Sequence, residues 1–577
     1  MKTNVGPSLP ISEETHATKY RSRGETFRDA MNRVSNALKD DQPHYRSLRE
    51  ILIDMRFMPA GRVQSAMGAT KAVTPYNCFV SGTIEDSFTT GEGSIMRRAT
   101  EAAETMRQGG GIGYDFSTLR PRGDVIKKLQ SHSSGPVSFM QIFDATCRCV
   151  ASSGHRRGAQ MGVMRIDHPD IVEFITAKHN QKDLTGFNMS VAVTDDFMDA
   201  LRNDRPFALK FNGQTYREVD PADLWDTLMR STWDWAEPGV LFIDTINRMN
   251  NLWYCERIAA TNPCGEQPLP PYGACLLGSF NLVKYLGKNE MGQWSFDRGQ
   301  LREDIKPVVR AMDNVVDRAD YPLPEQGREA RAKRRMGLGV SGVANAFEAM
   351  GLSYGSPEYC AKQDQILEIV RDEAYRASVD LAREKGIFAL FDRDLYGQGK
   401  FIQTLPSDLQ ADIQKYGIRN SHLTSIAPTG TISLCADNIS SGIEPVFAHS
   451  FNRTVIEAAG PRTETIEDYG ARVLGVKGKT TAEVTIEEHL NVLISAAKHV
   501  DSAVSKTCNV SGDVPWDDFK SLYVKAYEGG AKGCTTFRVD GKRAGILVAK
   551  DEAKDEPAKD EGGACTYDPT TGIRSCE

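Results

Sequence analysis

The sequence predicts an α/β fold with parallel strands, because amphipathic helices alternate with short apolar runs. Residues 361–386 carry apolar side chains at helical spacing and end on a basic turn followed by glycine, which is typical of a helix and its C-terminal cap. Thr485 and Glu488 form a capping box before a second apolar stripe, which predicts another helix. The apolar runs at 190–194 and 239–244 are typical of buried strands. Such alternation favours a sheet covered by helices.

Composition excludes several classes of function. The 577 residues carry a net charge of -7, with 40% hydrophobic and 25% charged residues, and this balance offers no general attraction to nucleic acid. No apolar run reaches the roughly 18 residues that cross a bilayer, and the first residues lack a secretory apolar segment. We therefore expect a cytoplasmic protein without a nucleic-acid or membrane partner. The 12 cysteines are too scattered for a disulfide framework, so most should be reduced.

The stretch TNPCGEQPL, residues 261–269, places three reactive groups close together. In an extended segment the amide of Asn262, the thiol of Cys264 and the carboxylate of Glu266 would point the same way, because side chains alternate between faces. The alternative is a surface turn, since Asn-Pro and Cys-Gly pairs are common in turns. Spacing alone leaves both interpretations open.

The last 28 or so residues differ in character from the rest. From Lys550 the sequence KDEAKDEPAKDEGGA is charged and lacks aromatic residues, which predicts a flexible tether with a reach of roughly 20 Å. It leads to Cys565 and Cys576. Thiol exchange fits this mobile pair better than a zinc site, which usually takes CxxC pairs and four ligands, although a fortuitous pair or a metal clip is the alternative.

Two further cysteines lie in apolar surroundings, Cys78 in YNCFVSG and Cys275 in GACLLGSFNL. Each alone is typical of a structural core thiol. Together with residues 261–269 and the cysteine tail, they resemble the catalytic subunit of a ribonucleotide reductase. The resemblance runs from about residue 50 to the end and includes a series of ordered motifs: GGGIGYDFSTLRPRGD (109–124), SGPVSFMQIFDA (134–145), HRRGAQM (155–161), HPDIVEFI (168–175), FNMSVAVTDDFM (187–198), RRMGLGVSGVANAF (334–347), APTGTIS (427–433) and DSAVSKTCNV (501–510).

The resemblance implies a fold and a division of the chain. The family fold is a ten-stranded α/β barrel in which a central finger loop carries the radical cysteine. We expect a short N-terminal helical region at 1–50, the catalytic barrel at 51–549 and the flexible redox tail at 550–577. We expect the first 50 or so residues to be too short for the ATP-binding domain that shuts some family members off.

The resemblance also implies catalytic roles. Cys264 would form the thiyl radical that abstracts the 3′ hydrogen of the ribose, Glu266 would act as general base on the 3′ hydroxyl, and the amide of Asn262 would hydrogen-bond the sugar. Glu266 suits this role because burial raises the pKa of a carboxyl toward neutrality.

Two cysteine pairs would carry the electrons. The resemblance implies that Cys78 and Cys275 reduce the substrate and close as a disulfide, which requires Cα atoms within about 7 Å. Cys565 and Cys576 would then reduce that disulfide by exchange and pass the oxidation to a thioredoxin-like partner.

Substrate contacts are expected around the segment PTGTIS, which resembles the family's phosphate loop. Its hydroxyls and backbone N–H groups could bind an anion; the alternative is a simple turn at Pro428. The substrate would be a ribonucleoside di- or triphosphate. The expected substrate-binding residues are Asn77, Gly110, Gly111, Pro428, Thr429, Gly430, Thr431 and Ile432.

The radical source is inferred from a missing feature. Large subunits that receive a radical from a separate subunit carry adjacent tyrosines where this chain has Thr535, Thr536 and Phe537, and neither threonine can carry a radical. The ending DPTTGIRSCE resembles adenosylcobalamin-dependent class II enzymes. We therefore expect adenosylcobalamin as cofactor and no protein-bound metal. The alternatives are a large subunit that needs a radical-generating partner, or a nucleotide-binding regulator without turnover.

Regulation is predicted by position only. Asp86, Ser87 and Arg120 match the family's site for a dNTP or ATP effector at the interface of a homodimer. Arg156 lies in the loop that would carry the signal, although it could equally be a solvated surface charge.

Overall fold

The computed structural model describes most of the chain. The described residues are 6–71, 73–127, 129–152, 156–157, 159–180, 183–457, 460–538, 540–542, 566–568 and 573–575. Within these ranges no helix is both long and apolar enough to cross a membrane.

Helices in the described ranges cover the N-terminal region and the sheet. They are α1 Pro10–Tyr20, α2 Phe27–Leu38, α3 Gln42–Ile53, α4 Gly61–Ala66, α5 Ile95–Arg107, α6 Pro136–Cys149, α7 Ile171–Thr176, α8 Asp195–Arg202, α9 Pro221–Trp235, α10 Ile243–Arg248, α11 Arg298–Arg318, α12 Pro324–Lys333, α13 Val343–Ala349, α14 Pro357–Lys385, α15 Arg393–Gly397, α16 Ser407–Tyr416, α17 Gly430–Cys435, α18 Ile486–Ala497 and α19 Trp516–Glu528. Short 3₁₀ turns span Leu282–Tyr285 and Ile402–Thr404, and a π-helical turn spans Gly470–Leu474.

The strands are mostly short. They are β1 Phe57–Pro59, β2 Cys78–Val80, β3 Gly111–Asp115, β4 Val125–Ile126, β5 Ser131–His132, β6 Ala151–Ser152, β7 Arg156–Arg157, β8 Gln160–Arg165, β9 Phe187–Val193, β10 Phe207–Phe211, β11 Gln214–Val219, β12 Gly239–Phe242, β13 Ala260–Thr261, β14 Pro268–Leu269, β15 Ala274–Cys275, β16 Leu277–Asn281, β17 Leu286–Lys288, β18 Trp294–Phe296, β19 Gly337–Ser341, β20 Ser450–Glu457, β21 Gly460–Glu467, β22 Thr507–Val510, β23 Gly533–Arg538, β24 Thr566–Asp568 and β25 Ile573–Ser575.

The local helix signals are confirmed. The helix predicted over 361–386 is α14, which ends at Lys385 and is followed by Gly386 at φ +87°. The capping box at Thr485 begins α18. The strand predicted at 239–244 is shorter than expected, because the chain turns into α10 at Ile243.

The largest sheet has eight strands in the order β15-β2-β3-β8-β9-β12-β23-β22. The consecutive neighbours from β2 to β12 run parallel, as expected for an α/β fold. The prediction of parallel strands fails at two places, where β15 is antiparallel to β2 and β23 is antiparallel to β12. The overall α/β class is therefore confirmed, with a mixed sheet.

A second sheet has three strands in the order β1-β16-β19. Only Leu276 separates β15 of the first sheet from β16 of the second. Isolated parallel bridges join Leu338 of β19 to Thr424, and Ile426 to Val504 just before β22. The described strands thus form two sheets connected at both ends rather than one ten-stranded ladder.

The two faces of the eight-stranded sheet are buried differently. One face packs under helices through aromatic and aliphatic side chains such as Tyr114 and Val191. The other face packs against the β13–β14 hairpin, where Val163 and Ala192 share a small apolar cluster with Leu269. A sheet covered on both faces explains the nearly continuous apolar strands in the sequence.

Glycine permits the hairpin to lie close to the sheet. A Cβ at Gly113 of β3 would collide with the backbone carbonyl of Thr261 in β13. At Gly111 a Cβ would lie 3.1 Å from both the Sγ of Cys78 and the Cγ of Pro263. The glycine-rich motif therefore serves close backbone approach.

We predict that Gly113→Ala destabilises the protein by about 3 kcal/mol, because overpacking a buried contact typically costs 1–3 kcal/mol and here the clash is with backbone. The measurement is the urea midpoint of unfolding. Gly287→Ala is the matched control, since no heavy atom lies within 4 Å of the added Cβ. Equal midpoints for both variants would contradict the proposed close approach.

Candidate active site

The segment 262–267 is a tight turn that joins β13 to β14. Gly265 adopts φ +85°, its N–H donates to the Asn262 carbonyl at 3.1 Å, and the Gln267 N–H donates to Asn262 Oδ1 at 2.9 Å. The extended conformation is therefore wrong, because these hydrogen bonds fold the chain back. The surface location is wrong as well, since Asn262 is 0% exposed and Glu266 is 2% exposed.

Contacts from three directions hold this turn in place. The Asn188 amide of β9 donates to the Pro263 carbonyl at 2.9 Å. On the other side, the Glu266 carbonyl accepts from the Ser425 hydroxyl at 2.9 Å and from the Ala503 N–H at 2.9 Å. The turn is thus anchored between the eight-stranded sheet and the segments that bridge to the second sheet.

A cleft opens beside the turn, and its empty volume is about 460 Å³ when the space open to solvent is included. Seven of the predicted site residues line it: Asn77, Cys78, Cys264, Glu266, Pro428, Thr429 and Ile432. Sequence analysis missed Ala60, Leu277, Gly278, Ser279 and Ala427, which also line it. Ser279 lies two residues beyond Leu277 in β16 and so shares its face, a period-2 signal within GACLLGSFNL.

Other predicted residues lie next to the cleft without lining it. Cys275 lies opposite Cys78 on the neighbouring strand, and Asn262 lies beside Glu266. Gly111 supports Cys78 from the sheet, whereas a Cβ at Gly110 would face Phe79 and Thr105 instead.

The two cysteines of β2 and β15 lie directly opposite one another. Cys275 and Cys78 are Cα partners in the antiparallel ladder, and both are buried thiols. Directly opposed residues have Cα atoms roughly 4.5–5.5 Å apart, which suits a disulfide. Burial raises the pKa of Cys275 well above its ordinary value, and Glu266, Cys78 and Cys264 lie close enough to raise it further.

The carboxyl of Glu266 is tuned by its surroundings. Burial raises its pKa to about 7, while the amide of Asn262 opposes the shift. Glu266 Oε2 and Asn262 Nδ2 are buried and make no hydrogen bond of standard geometry to the described parts of the chain. Two buried polar atoms that lack hydrogen bonds of standard geometry, beside a thiol, are the arrangement expected of a site that hydrogen-bonds a ligand.

The segment PTGTIS forms a strained turn leading into the short helix α17. Thr429 adopts φ +56°, and its hydroxyl accepts from the Gly442 N–H at 2.7 Å and lies 3.0 Å from Ser433 Oγ. Gly430 and Thr431 begin α17 directly after it. A simple β-turn at Pro428 is therefore wrong, because the chain continues into a helix.

The predicted effector residues lie on a separate part of the chain. Arg120 Nε donates to Asp86 Oδ2 at 2.8 Å, and Ser87 Oγ accepts from the Thr90 N–H at 3.2 Å. Arg156 belongs to β7, but its side chain lies outside the described residues.

Two further predictions concern the C-terminal part of the chain. Thr535 and Thr536 lie in β23, where the Thr536 hydroxyl pairs with the Tyr523 hydroxyl at 2.8 Å. Cys565, Cys576 and the tether at 550–564 lie outside the described residues. The described strands β24 and β25 pair antiparallel with Thr566 opposite Ser575.

Comparison with known proteins identifies the family. The family profile described as "Ribonucleotide reductase, barrel domain" matches residues 76–469 and 477–537. The chain belongs to the ribonucleotide reductase family. The match includes every residue of the cleft lining except Ala60, and both strands that carry Cys78 and Cys275.

Several curated relatives share most of this reductase chain. A protein of Mycobacterium tuberculosis named vitamin B12-dependent ribonucleoside-diphosphate reductase is 36% identical over 528 residues, which cover 86% of this chain and 72% of the relative. A protein of the same name from Thermoplasma acidophilum is 33% identical, covering 96% of this chain and 74% of the relative. A vitamin B12-dependent ribonucleotide reductase of Streptomyces clavuligerus is 26% identical, covering 93% and 64%.

We predict that Glu266→Gln stabilises this reductase above neutral pH. The pKa of the Glu266 carboxyl rises from 4.5 to about 7 on folding, so the folded state holds the proton more tightly than the unfolded state. The folded protein therefore loses stability as the pH increases between those two values. The charged form then costs up to about 3 kcal/mol at about pH 8, whereas glutamine stays neutral.

The measurement is the thermal midpoint of the unmodified chain and of Glu266→Gln. The difference between their midpoints should be large at about pH 8 and near zero at about pH 4.5. The matched control is Glu290→Gln, which neutralises an exposed carboxyl on the β17–β18 turn. The same gain at both pH values would contradict a buried carboxyl of raised pKa.

Proposed function

We propose that this chain reduces ribonucleoside diphosphates to 2′-deoxyribonucleotides by thiyl-radical chemistry that starts from adenosylcobalamin. The observation that carries the proposal is the cleft in which Cys264 and Glu266 lie beside the opposed pair Cys78 and Cys275. The choice of diphosphates follows the names of the relatives from Mycobacterium tuberculosis and Thermoplasma acidophilum.

The turn at 262–267 supplies the groups that act on the ribose. Cys264, partly exposed at the cleft wall, would lose its thiol hydrogen and take the 3′ hydrogen of the sugar. Glu266 would accept the proton of the 3′ hydroxyl, and its pKa of about 7 suits a base at neutral pH. Asn262 Nδ2, buried beside it, would donate to a sugar hydroxyl.

The opposed cysteines supply the two electrons. The C2′–O bond would break as the 2′ hydroxyl takes one proton from this pair and leaves as water. The second thiol hydrogen would end on C2′, and the two thiols together would deliver two electrons as the Sγ–Sγ bond between Cys78 and Cys275 forms. Cys264 would finally return the 3′ hydrogen to the product, and Glu266 would return the proton to the 3′ oxygen. Two thiols are thus oxidised for each ribonucleotide reduced, and the cross-strand position lets the bond form with little backbone movement.

The substrate phosphates would bind at Pro428–Ile432, where Pro428, Thr429 and Ile432 line the cleft. Thr429 faces the cleft, and Gly430 and Thr431 begin the helix beside it. Backbone N–H groups at a helix start have no partner within the helix and suit phosphate oxygens.

The cleft lining is compatible with a radical source that approaches the Cys264 thiol. When bound, adenosylcobalamin would supply radical chemistry, and Cys264 would give up its thiol hydrogen atom. The thiol of Cys264 reaches the cleft, whose nearby wall includes the small apolar residues Ala60 and Ala427. None of the described lining residues is a histidine, so this wall offers no imidazole ligand to cobalt. A partner radical subunit is less well supported, because threonines occupy 535 and 536.

The finer architecture is also part of the proposal. The two sheets would close into one ten-stranded barrel through Leu276 and the bridges at Leu338 and Ile426, with the β13–β14 hairpin as its central finger loop. The catalytic part would span 51–549.

The partners follow from the same family likeness. Asp86, Ser87, Arg120 and Arg156 would bind a dNTP or ATP effector at a homodimer interface, near which Phe88 is an exposed apolar side chain. Cys565 and Cys576 would reduce the disulfide between Cys78 and Cys275 by exchange. A thioredoxin-like protein would then reduce the tail pair.

We predict that the purified chain reduces ribonucleoside diphosphates only when adenosylcobalamin is present. The assay is anaerobic deoxynucleotide formation with a small dithiol, with and without the cofactor, using diphosphates and triphosphates separately. Cys264→Ser should lower turnover by at least about 10³-fold, because serine cannot form the thiyl radical.

Nucleotide binding should survive in Cys264→Ser, and Cys255→Ser, an exposed cysteine outside the cleft, should retain full activity. Binding without turnover in the unmodified chain would instead favour a nucleotide-binding regulator. Turnover that appears only after a second radical-generating protein is added would favour the two-subunit alternative.

We also predict that a single turnover without external reductant joins Cys78 to Cys275, because those thiols are direct cross-strand partners. Peptide mapping by mass spectrometry measures the crosslink. In the double variant Cys565→Ser and Cys576→Ser, the crosslink should persist with thioredoxin but disappear with a small dithiol. Equal loss of the crosslink with both reductants would show that the tail is not needed for its reduction.

A further inference from the structure

Two donors from different segments hold the main chain of Glu266. Its carbonyl accepts from the Ser425 hydroxyl and from the Ala503 N–H, each at 2.9 Å. The same residue places its carboxyl in the lining of the cleft. The position of that carboxyl therefore depends on where the segments around Ser425 and Ala503 are held.

A buried lysine fixes the segment that precedes Ala503. Lys532, which is 6% exposed and lies just before β23, donates from Nζ to the three carbonyls of residues 500–502, at 3.3 Å for the first and 2.5 Å for the second. An ammonium group has three N–H donors, so all of them are used on one short arc of backbone. The next N–H along the chain, that of Ala503, is the one that reaches the Glu266 carbonyl.

The side chain of Asp501 ties this arc to the segment that carries Ser425. Its Oδ2 accepts from the Leu423 N–H at 2.6 Å, and its Oδ1 accepts from the Thr424 N–H at 3.1 Å. In return, the Asp501 N–H donates to the Thr424 hydroxyl at 2.9 Å. Lys532 thus holds one segment directly and the other through Asp501.

The surroundings of the Lys532 amine make these contacts important. Burial lowers the pKa of Lys532 to about 8, and the carboxylate of Asp501 opposes the shift. Burial also lowers the pKa of the neighbouring His422 well below its ordinary value, and the charges of Arg335 and Lys532 lower it further. The Tyr375 hydroxyl donates to Asp501 at 2.8 Å. Because buried carbonyls without donors are costly, removing the amine should release the arc that it holds.

We propose that Lys532 is the positioning residue for Glu266, because it fixes both segments that hold the Glu266 main chain. The assignment rests on the proposed function, in which Glu266 is the general base. Lys532 is not part of the described cleft lining, so it acts through Ala503 and Ser425 and not on the substrate. Positioning matters because a displacement of about 1 Å can cost up to about 10²-fold in rate.

The carboxyl of Glu266 itself reports whether the turn is in place. Burial raises its pKa to about 7, while the Asn262 amide and its own backbone lower it. The thiols of Cys264 and Cys275 lie beside it. If Lys532→Met releases the turn toward water, the pKa of Glu266 falls back toward its ordinary value of 4.5.

The first measurement is the thermal midpoint, which needs no turnover. Glu266→Gln is made in the unmodified chain, in Lys532→Met and in the control Lys333→Met, which removes another buried lysine, paired with Glu256 and Glu329. At about pH 8 the gain in midpoint from Glu266→Gln should fall to less than half in Lys532→Met and stay unchanged in Lys333→Met, because only a buried carboxyl is costly when charged. Both members of each pair share the residue at 532, so its own titration cancels.

The second measurement is the pH profile of CDP reduction by the full chain with adenosylcobalamin. A general base acts in its deprotonated form, so kcat of the unmodified chain should rise with pH through about 7. In Lys532→Met this acidic limb should move to lower pH, kcat above it should fall about tenfold or more, and KM should stay within about twofold. Lys333→Met should keep the midpoint of the limb.

Three outcomes decide the assignment. An unchanged gain at about pH 8 in Lys532→Met would overturn it, whatever the activity. A lower kcat whose acidic limb does not move would show a general structural role and overturn it as well. If Lys532→Met fails to fold, Thr424→Val takes its place, since it keeps the branched shape and removes only the hydroxyl that accepts from Asp501. An unchanged gain in that variant would equally refute the role of the clamp.

Failure of the proposed function gives a different pattern. If the unmodified chain does not reduce CDP with adenosylcobalamin, the reductase proposal fails, while the midpoint comparison still decides whether Lys532 holds the turn of Glu266. If the chain reduces CDP and Lys532→Met changes neither the acidic limb nor the midpoint gain, the reductase proposal stands and the role of Lys532 is refuted.

Discussion

The close approach of the β13–β14 hairpin to the sheet is the constraint on which the site depends. The Thr261 carbonyl lies against β3 where Gly113 has no side chain, and Pro263 lies against Gly111. Because the hairpin is so near the sheet, its turn is buried among the strands that carry Cys78 and Cys275. Any larger residue at Gly113 would push the turn away from those thiols.

Burial of the turn sets the pKa of the Glu266 carboxyl. Water is excluded from its carboxyl, so the pKa rises to about 7 and the charged form is costly at neutral pH. The protein therefore carries an internal destabilisation at the residue proposed as general base. Such a cost is tolerable because the turn is held by Asn188, Ser425 and the backbone of Ala503.

The cleft also connects two distant parts of the protein. Its lining includes Cys264 of the turn and Thr429 of the loop that begins α17. The N-terminal helix α1 is bonded to α17 through Ser12 and reaches the loop through Lys19. The N-terminal region is thus structurally continuous with the proposed substrate site, although its sequence shows no motif of its own.

The sequence by itself determined the local features and the reactive groups. The C-terminal end of α14 and the capping box of α18 were predicted because caps depend on neighbours within a few residues. The series of family motifs pointed to Cys264, Glu266 and the cysteine pair for a similar reason. Each motif is a short local stretch, and the order of the motifs can be read directly from the sequence.

Only the tertiary structure decided how those groups meet. Residues 262–267 form a buried turn instead of an extended run, because hydrogen bonds from Asn188, Ser425 and Ala503 act from other parts of the chain. The direct opposition of Cys78 and Cys275 depends on strand register, and the contact of Lys19 with Thr431 depends on how α1 docks. Neither the strand register nor the docking of α1 can be read from local spacing, because both are set by packing between segments that are remote in sequence.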